Sequence, residues 1–180
     1  MTPLRHFPWG LIVLMMLLAA GVSTMGAQTR FRMLPVKTGG EITQEVADAL
    51  RGKTEEILTR NSALAPDTAG HPFEIRADLT VTGKDRTSGL VRNVTTATGE
   101  LTLTILNSSD GTPCHSVTVP LKSVLNGGSG NMVAEALVRS IRPADTVYTR
   151  FIRVARERIA AMYPSDSDTE SPSPSSHTPQ

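Results

Sequence analysis

Residues 73–82 read Phe-Glu-Ile-Arg-Ala-Asp-Leu-Thr-Val-Thr, and this stretch decides the fold. Phe73, Ile75, Ala77, Leu79 and Val81 alternate with Glu74, Arg76, Asp78, Thr80 and Thr82. Successive side chains of a strand point to opposite faces, so this alternation specifies a strand with one face in a core and the other in water. Such a strand needs neighbours of the same kind. Leu101, Leu103 and Ile105 alternate with Thr102 and Thr104, the turn composition Asn-Ser-Ser-Asp-Gly fills 107–111, and His115, Val117, Val119 and Leu121 open a returning strand. Residues 83–89 read as a polar connection, and 90–98 and 100–106 as two strand segments parted at Gly99. Short connections and one wet face point to antiparallel pairing.

Working outward, 29–36 is a short strand ended by Pro35, and Lys37-Thr-Gly-Gly40 is a turn that lets a helix start at Thr38 or just after. Ile42, Val46, Ala49, Leu50, Lys53, Ile57 and Leu58 recur at helical spacing through 41–60. Gly52 interrupts this helix at a cost of about 1 kcal/mol relative to alanine. Residues 61–72, with Pro66, Gly70 and Pro72, form a loop. Beyond the strands, Asn126-Gly-Gly-Ser-Gly-Asn131 leads into a helix with Met132, Val133, Ala136, Leu137 and Ile141 on its apolar side, stopped by Pro143. Asp145 or Thr146 caps a third helix whose apolar side holds Val147, Phe151, Val154, Ala155, Ile159 and Met162. This order predicts one α+β domain over residues 28–164, an antiparallel sheet of about four strands with three helices packed on one face.

The ends have other characters. Arg5 and His6, an apolar run over 10–22 and small residues up to Ala27 make the pattern of a signal peptide over 1–27. Cleavage near Ala27 predicts a secreted or periplasmic protein. The alternative is an uncleaved N-terminal membrane anchor, although the run is shorter than the roughly 20 apolar residues of a bilayer span. Residues 165–180 are mostly Ser, Pro, Asp and Thr, with Asp166, Asp168 and Glu170 and no Lys or Arg, and they read as a disordered acidic tail. The chain carries 18 basic and 17 acidic residues, and loss of Arg5 with the signal balances them. That balance argues against a dedicated nucleic-acid binder. Cys114 is the single cysteine, so the chain has no intramolecular disulfide, and no cysteine stands at the cleavage region to take a lipid anchor.

Motifs with chemistry are few. The run Gly128, Ser129, Gly130, Asn131 before a helix suits converging amides at a helix N-terminus. It matches neither the phosphate-loop nor the dinucleotide template, and Asn131 stands where a nucleophile elbow needs glycine. A flexible turn with Ser129 or Asn131 as helix cap is the simpler reading. Cys114 and His115 are adjacent on a strand and so point apart, which leaves a bystander thiol. His71 and His177 are isolated. No catalytic, cofactor or metal residues are therefore assigned. Arg139, Arg142, Arg150, Arg153, Arg156 and Arg158 give the last two helices basic solvent sides. The candidate binding surface is Gly128, Ser129, Gly130, Asn131, Arg139, Arg142, Arg150 and Arg153.

Over roughly 41–163 the chain resembles a group of small exported Bacteroidetes proteins of uncharacterised function. The likeness rests on Phe73-Glu-Ile75, Val81-Thr-Gly83, the Leu101-x-Leu-x-Ile105 strand before Asp110-Gly111, the Gly-Ser-Gly-Asn step into the 134–141 helix, and Phe151-Ile152 leading to Tyr163. More distantly, the order of elements is similar to the periplasmic domain of lipoproteins that serve curli export or activate penicillin-binding proteins. The resemblance implies action by contact with other proteins and no catalytic residues. The expected function is a non-enzymatic exported module that binds another envelope or secreted protein, with an anionic envelope surface as a further partner. The alternatives are a wall- or glycan-acting hydrolase using Ser129 near Glu135, and a small-ligand or lipid carrier with a cavity between sheet and helices.

Overall fold

The alternation that starts at Phe73 continues across a four-stranded sheet in the order β1 (Arg32–Met33), β2 (Phe73–Ser88), β3 (Asn93–Asn107), β4 (Pro113–Asn126). The protein is described here from a computed structural model over residues 29–66, 70–88, 93–126 and 130–164. The signal-peptide and tail readings, for 1–27 and 165–180, lie outside these residues. Among the described residues three helices accompany the sheet, α1 (Gln44–Arg60), α2 (Gly130–Ser140) and α3 (Thr146–Met162). Each packs on strands of the sheet, α1 on β1 and β2, α2 on β2 to β4, and α3 on β4. The α+β class is as the sequence predicts.

Strands β2, β3 and β4 pair antiparallel, with Leu79 opposite Leu101 and Leu101 opposite Val119. The first strand corrects the expectation of an all-antiparallel sheet. Only Arg32 and Met33 join the ladder, and they run parallel to Glu74 and Ile75. A parallel neighbour requires a crossover, and α1 supplies it. Phe31 bridges to Leu64 on the same side, and the Arg32 and Glu74 side chains form an ion pair.

Two connections expected from glycine turn out to be strand. β2 runs on through 83–88 after a register shift between Val81 and Gly83, and β3 runs unbroken through Gly99. Gly99 is there because of packing. A Cβ at this position would stand 2.7 Å from Leu137 Cδ1 of α2 and 2.7 Å from the Thr80 carbonyl oxygen. The missing side chain lets α2 settle directly on the sheet.

The helical stripes hold most of their expected positions and change at a few. In α1 the buried residues are Val46, Ala47, Leu50, Thr54, Ile57 and Leu58, so Ala47 and Thr54 replace Ala49 and Lys53. Thr54 is tolerated because its hydroxyl donates to the Leu50 carbonyl oxygen at 2.9 Å. The helix starts later than Thr38 suggested, since Gly39 and Gly40 take positive φ in a turn closed by Gly39 and Ile42, and the Thr43 hydroxyl accepts from the Val46 N–H. In α2, Val133, Ala136 and Leu137 are buried as expected, with Ile141 just beyond the helix; Ala134 and Val138 join them, and Met132 is exposed. In α3, Tyr148, Phe151, Ile152, Ala155 and Ile159 face inward, and Met162 is exposed. The sheet and helices share one core cluster.

Arg156 was expected on the solvent side of the last helix but is partly buried and ties three segments together. Its Nε donates to the Thr29 carbonyl oxygen at 3.1 Å, and Nη2 donates to those of Asn61 and Ser62 at 3.4 and 2.9 Å. The positive charge therefore sits at the carbonyl end of α1, where the helix dipole favours it.

Substituting Gly99→Ala is expected to destabilise the domain by about 1–3 kcal/mol through overpacking. Gly52→Ala, where a Cβ meets open space on the exposed side of α1, should stabilise it by about 0.5–1 kcal/mol. Urea denaturation of both variants checks the pair; equal effects would remove the packing role of Gly99. Arg156→Ala should cost about 2 kcal/mol in the same assay. Arg156→Lys should recover only part of that, because an ammonium cannot reproduce the planar fork.

Candidate functional site

Of the expected binding residues, Gly128 and Ser129 lie outside the described residues. Gly130 opens α2 and Asn131 is its second residue, so Asn131 is inside the helix and not its cap. The arginines divide into distinct groups. Arg139 pairs with Glu135 one turn back on α2, and Arg153 with Glu157 at 2.6 Å on α3. Arg142 and Arg150 are exposed and have no ion-pair partner among the described residues. Arg139 and Arg142 come together at one cleft, whereas Arg150 and Arg153 stand farther along α3.

That cleft, of about 430 Å³, is the feature the sequence does not reveal. One wall is the segment 119–122 of β4, which is the outer strand of the sheet. The other is the end of α2 and the connection to α3, contributing Arg139, Ser140, Arg142, Asp145 and Tyr148. Sequence reasoning missed Lys122, Asp145 and Tyr148. A signal was present in Pro120, because proline within a paired strand marks an edge.

The electrostatics of the cleft follow from its two walls. Lys122, Arg139 and Arg142 line it with positive charge, and Asp145 is its one acidic residue. Asp145 occupies the N-cap position of α3 with extended backbone, yet its carboxylate makes no capping bond. Tyr148 exposes only 2% of its surface, and its hydroxyl has no hydrogen-bond partner among the described residues. Burial, and secondly the Asp145 charge, push its pKa up to about 12, so the phenol remains a proton donor.

Elsewhere the chemistry is unactivated. Cys114 sits at a register shift where Ile105 pairs with His115 and Leu106 with Pro113. Its thiol contacts the Thr112 carbonyl oxygen at 3.8 Å, and burial raises its pKa, which favours the unreactive neutral form. His115 stacks on Phe151 with ring centroids 5.3 Å apart, and its pKa is lowered by burial and then by Arg158. No hydrogen bond joins the two side chains. Glu135, offered as a partner for Ser129, is half exposed and held by Arg139. Between sheet and helices, where a carrier would need its cavity, Leu50, Leu101, Leu103, Leu137 and Ile152 are packed at 0–1% exposure. Among the described residues no three His, Cys, Asp or Glu side chains are grouped as a metal site, and no helix is long and apolar enough to cross a membrane.

No family model matches the chain, and no curated protein matches it. Solved structures give distant likenesses. A minor lipoprotein from Acinetobacter baumannii is 13% identical with a TM-score of 0.41, covering 75% of this chain and 94% of its own. A Xanthomonas campestris protein of the DUF330 family model is 17% identical with a TM-score of 0.39, covering 76% and 90%. A lipoprotein from Caulobacter crescentus is 10% identical with a TM-score of 0.36, covering 72% and 87%. Likenesses at these scores carry no argument about the function of this chain.

Proposed function

We propose that the chain is a non-enzymatic exported module that acts by binding another envelope or secreted protein through the solvent side of α2 and α3. The observation that carries this reading is the set of exposed arginines on that side, of which Arg142 and Arg150 have no acidic partner among the described residues. A surface cation with no partner in its own chain keeps its charge available to an acidic surface, and such complementarity raises association rate and selects partners. Export is taken from the signal pattern of residues 1–27. Action by contact is what the resemblance to periplasmic accessory domains implies. The raised pKa of Cys114 and the ion pair that holds Glu135 both favour binding over hydrolysis.

A photo-crosslinking residue placed at Thr149, next to Arg150 on α3, should yield a discrete protein adduct in intact cells of the native host. The double variant Arg150→Glu and Arg153→Glu should abolish that adduct while leaving the thermal melt in place. An adduct that survives the double reversal, or no adduct at any expression level, would overturn the reading.

A further inference from the structure

We infer that the cleft between the free edge of β4 and the α2–α3 connection is a binding site for a phosphodiester group carrying a hydroxyl. This goes beyond contact with a protein partner and stands on separate observations. The volume of about 430 Å³ is that of a small-molecule site. Its lining is polar and cationic, and so suits a charged headgroup over an apolar body.

Four features converge on an anion. Lys122 and Arg142 face the cleft from opposite walls, exposed and without an ion-pair partner among the described residues. Arg139 adds charge beside them, although Glu135 shares it. The 17-residue helix α3 begins at the cleft, and because the Asp145 side chain makes no cap the N–H groups of Thr146 and Val147 and the positive dipole end stay open, while that of Tyr148 donates to the Asp145 carbonyl oxygen. The Tyr148 hydroxyl is the fourth, a donor on a residue that is almost wholly buried and yet lacks an acceptor. The ring is fixed by burial while the hydroxyl, at the cleft lining and without a protein acceptor, is left to bond a ligand or water.

Asp145 narrows the chemistry. A dianionic phosphate monoester would meet its carboxylate at close range, whereas a diester carries one charge and leaves room for a ligand hydroxyl to donate to Asp145. Pro120 narrows it further. Proline has no N–H to give to β3, so its place opposite Glu100 puts the gap on the free edge. An extended peptide adding there would lose a rung, which disfavours strand addition and leaves a compact ligand as the occupant. The same group occurs free in solution or as the headgroup of phosphatidylglycerol at a membrane surface.

The test uses the isotope-labelled protein purified from its own host and two probes. One is glycerophosphoglycerol, followed by NMR shifts at Lys122, Arg142 and Tyr148. The other is sedimentation with phosphatidylcholine vesicles with and without phosphatidylglycerol. Saturable binding is expected, weakened about tenfold or more by Arg142→Glu and about threefold by Tyr148→Phe, with Arg86→Glu, at an exposed position of β2 outside the cleft lining, near neutral. Binding of the soluble diester alone identifies a free ligand as the source. Binding to phosphatidylglycerol vesicles that falls with Arg142→Glu but not with Arg86→Glu identifies the lipid headgroup. Absence of saturable binding to both probes overturns the site. So does a Tyr148→Phe protein that binds as tightly as the unaltered one, or equal losses from Arg142→Glu and Arg86→Glu, which would mark general surface attraction. Loss of the cellular adduct with cleft binding intact would leave this inference standing and remove the protein-partner reading alone.

Discussion

The helix-facing row of β3 is the surface on which the rest of the domain depends. Ala97, Leu101, Leu103 and Ile105 have no exposed area, and Gly99 in their midst is buried. Both neighbouring strands register against this row, and α2 reaches it at Gly99 through Leu137. Protein interiors are packed to nearly crystalline density, so a helix that approaches this closely fixes its own axial position. The end of α2 is thereby set against β4, and the short connection through Pro143 sets the start of α3. The cleft is what remains between the edge strand and that connection. Its geometry is a consequence of how the core closes.

The legible part of the fold is the part governed by local periodicity. Residues 73–82 and 101–105 announce strands because alternation is a property of neighbours in sequence. The short strand at 29–36 is legible, but the parallel direction of β1 follows from a crossover through α1, which no local pattern encodes. Gly99 was read as a break because glycine usually weakens a strand, and the compensating contact with Leu137 comes from a helix that begins about thirty residues later. The helical stripes are legible in most positions and differ where the sequence offers two adjacent choices. Val147 and Tyr148 are adjacent, and the larger ring won the interior because Ile152, Ala155 and Ile159 follow it at helical spacing. The site was legible only in part. Arg139 and Arg142 were named for their charge, but Lys122 and Tyr148 join them only through tertiary structure.

The arginines show why composition is a weak guide to a binding surface. Arg156 spends its donors on three main-chain carbonyl oxygens and belongs to the fold. Arg139 and Arg153 lie one turn from glutamates, in pairs that contribute little to stability in water but mute the charge they present. Arg142 and Arg150 differ in having no such glutamate. Arg158 is likewise exposed without an ion pair among the described residues, so six arginines over twenty residues supply three with available charge, and of these Arg142 lines the cleft.

The two outer strands bear on how such a domain can meet a partner. β4 is open along its length, and β2 is open beyond the two residues that β1 covers. Unprotected edges invite further strands and aggregation. Here each edge carries a deterrent, Pro113, Pro120 and Lys122 on β4 and the exposed Lys84, Asp85 and Arg86 on β2. Proline removes a donor from the ladder, and a charged strand resists desolvation against another backbone. A partner strand laid along either edge therefore meets an obstacle within a few residues. Recognition is left to side chains projecting beside the edge, and on β4 those side chains converge where α3 begins.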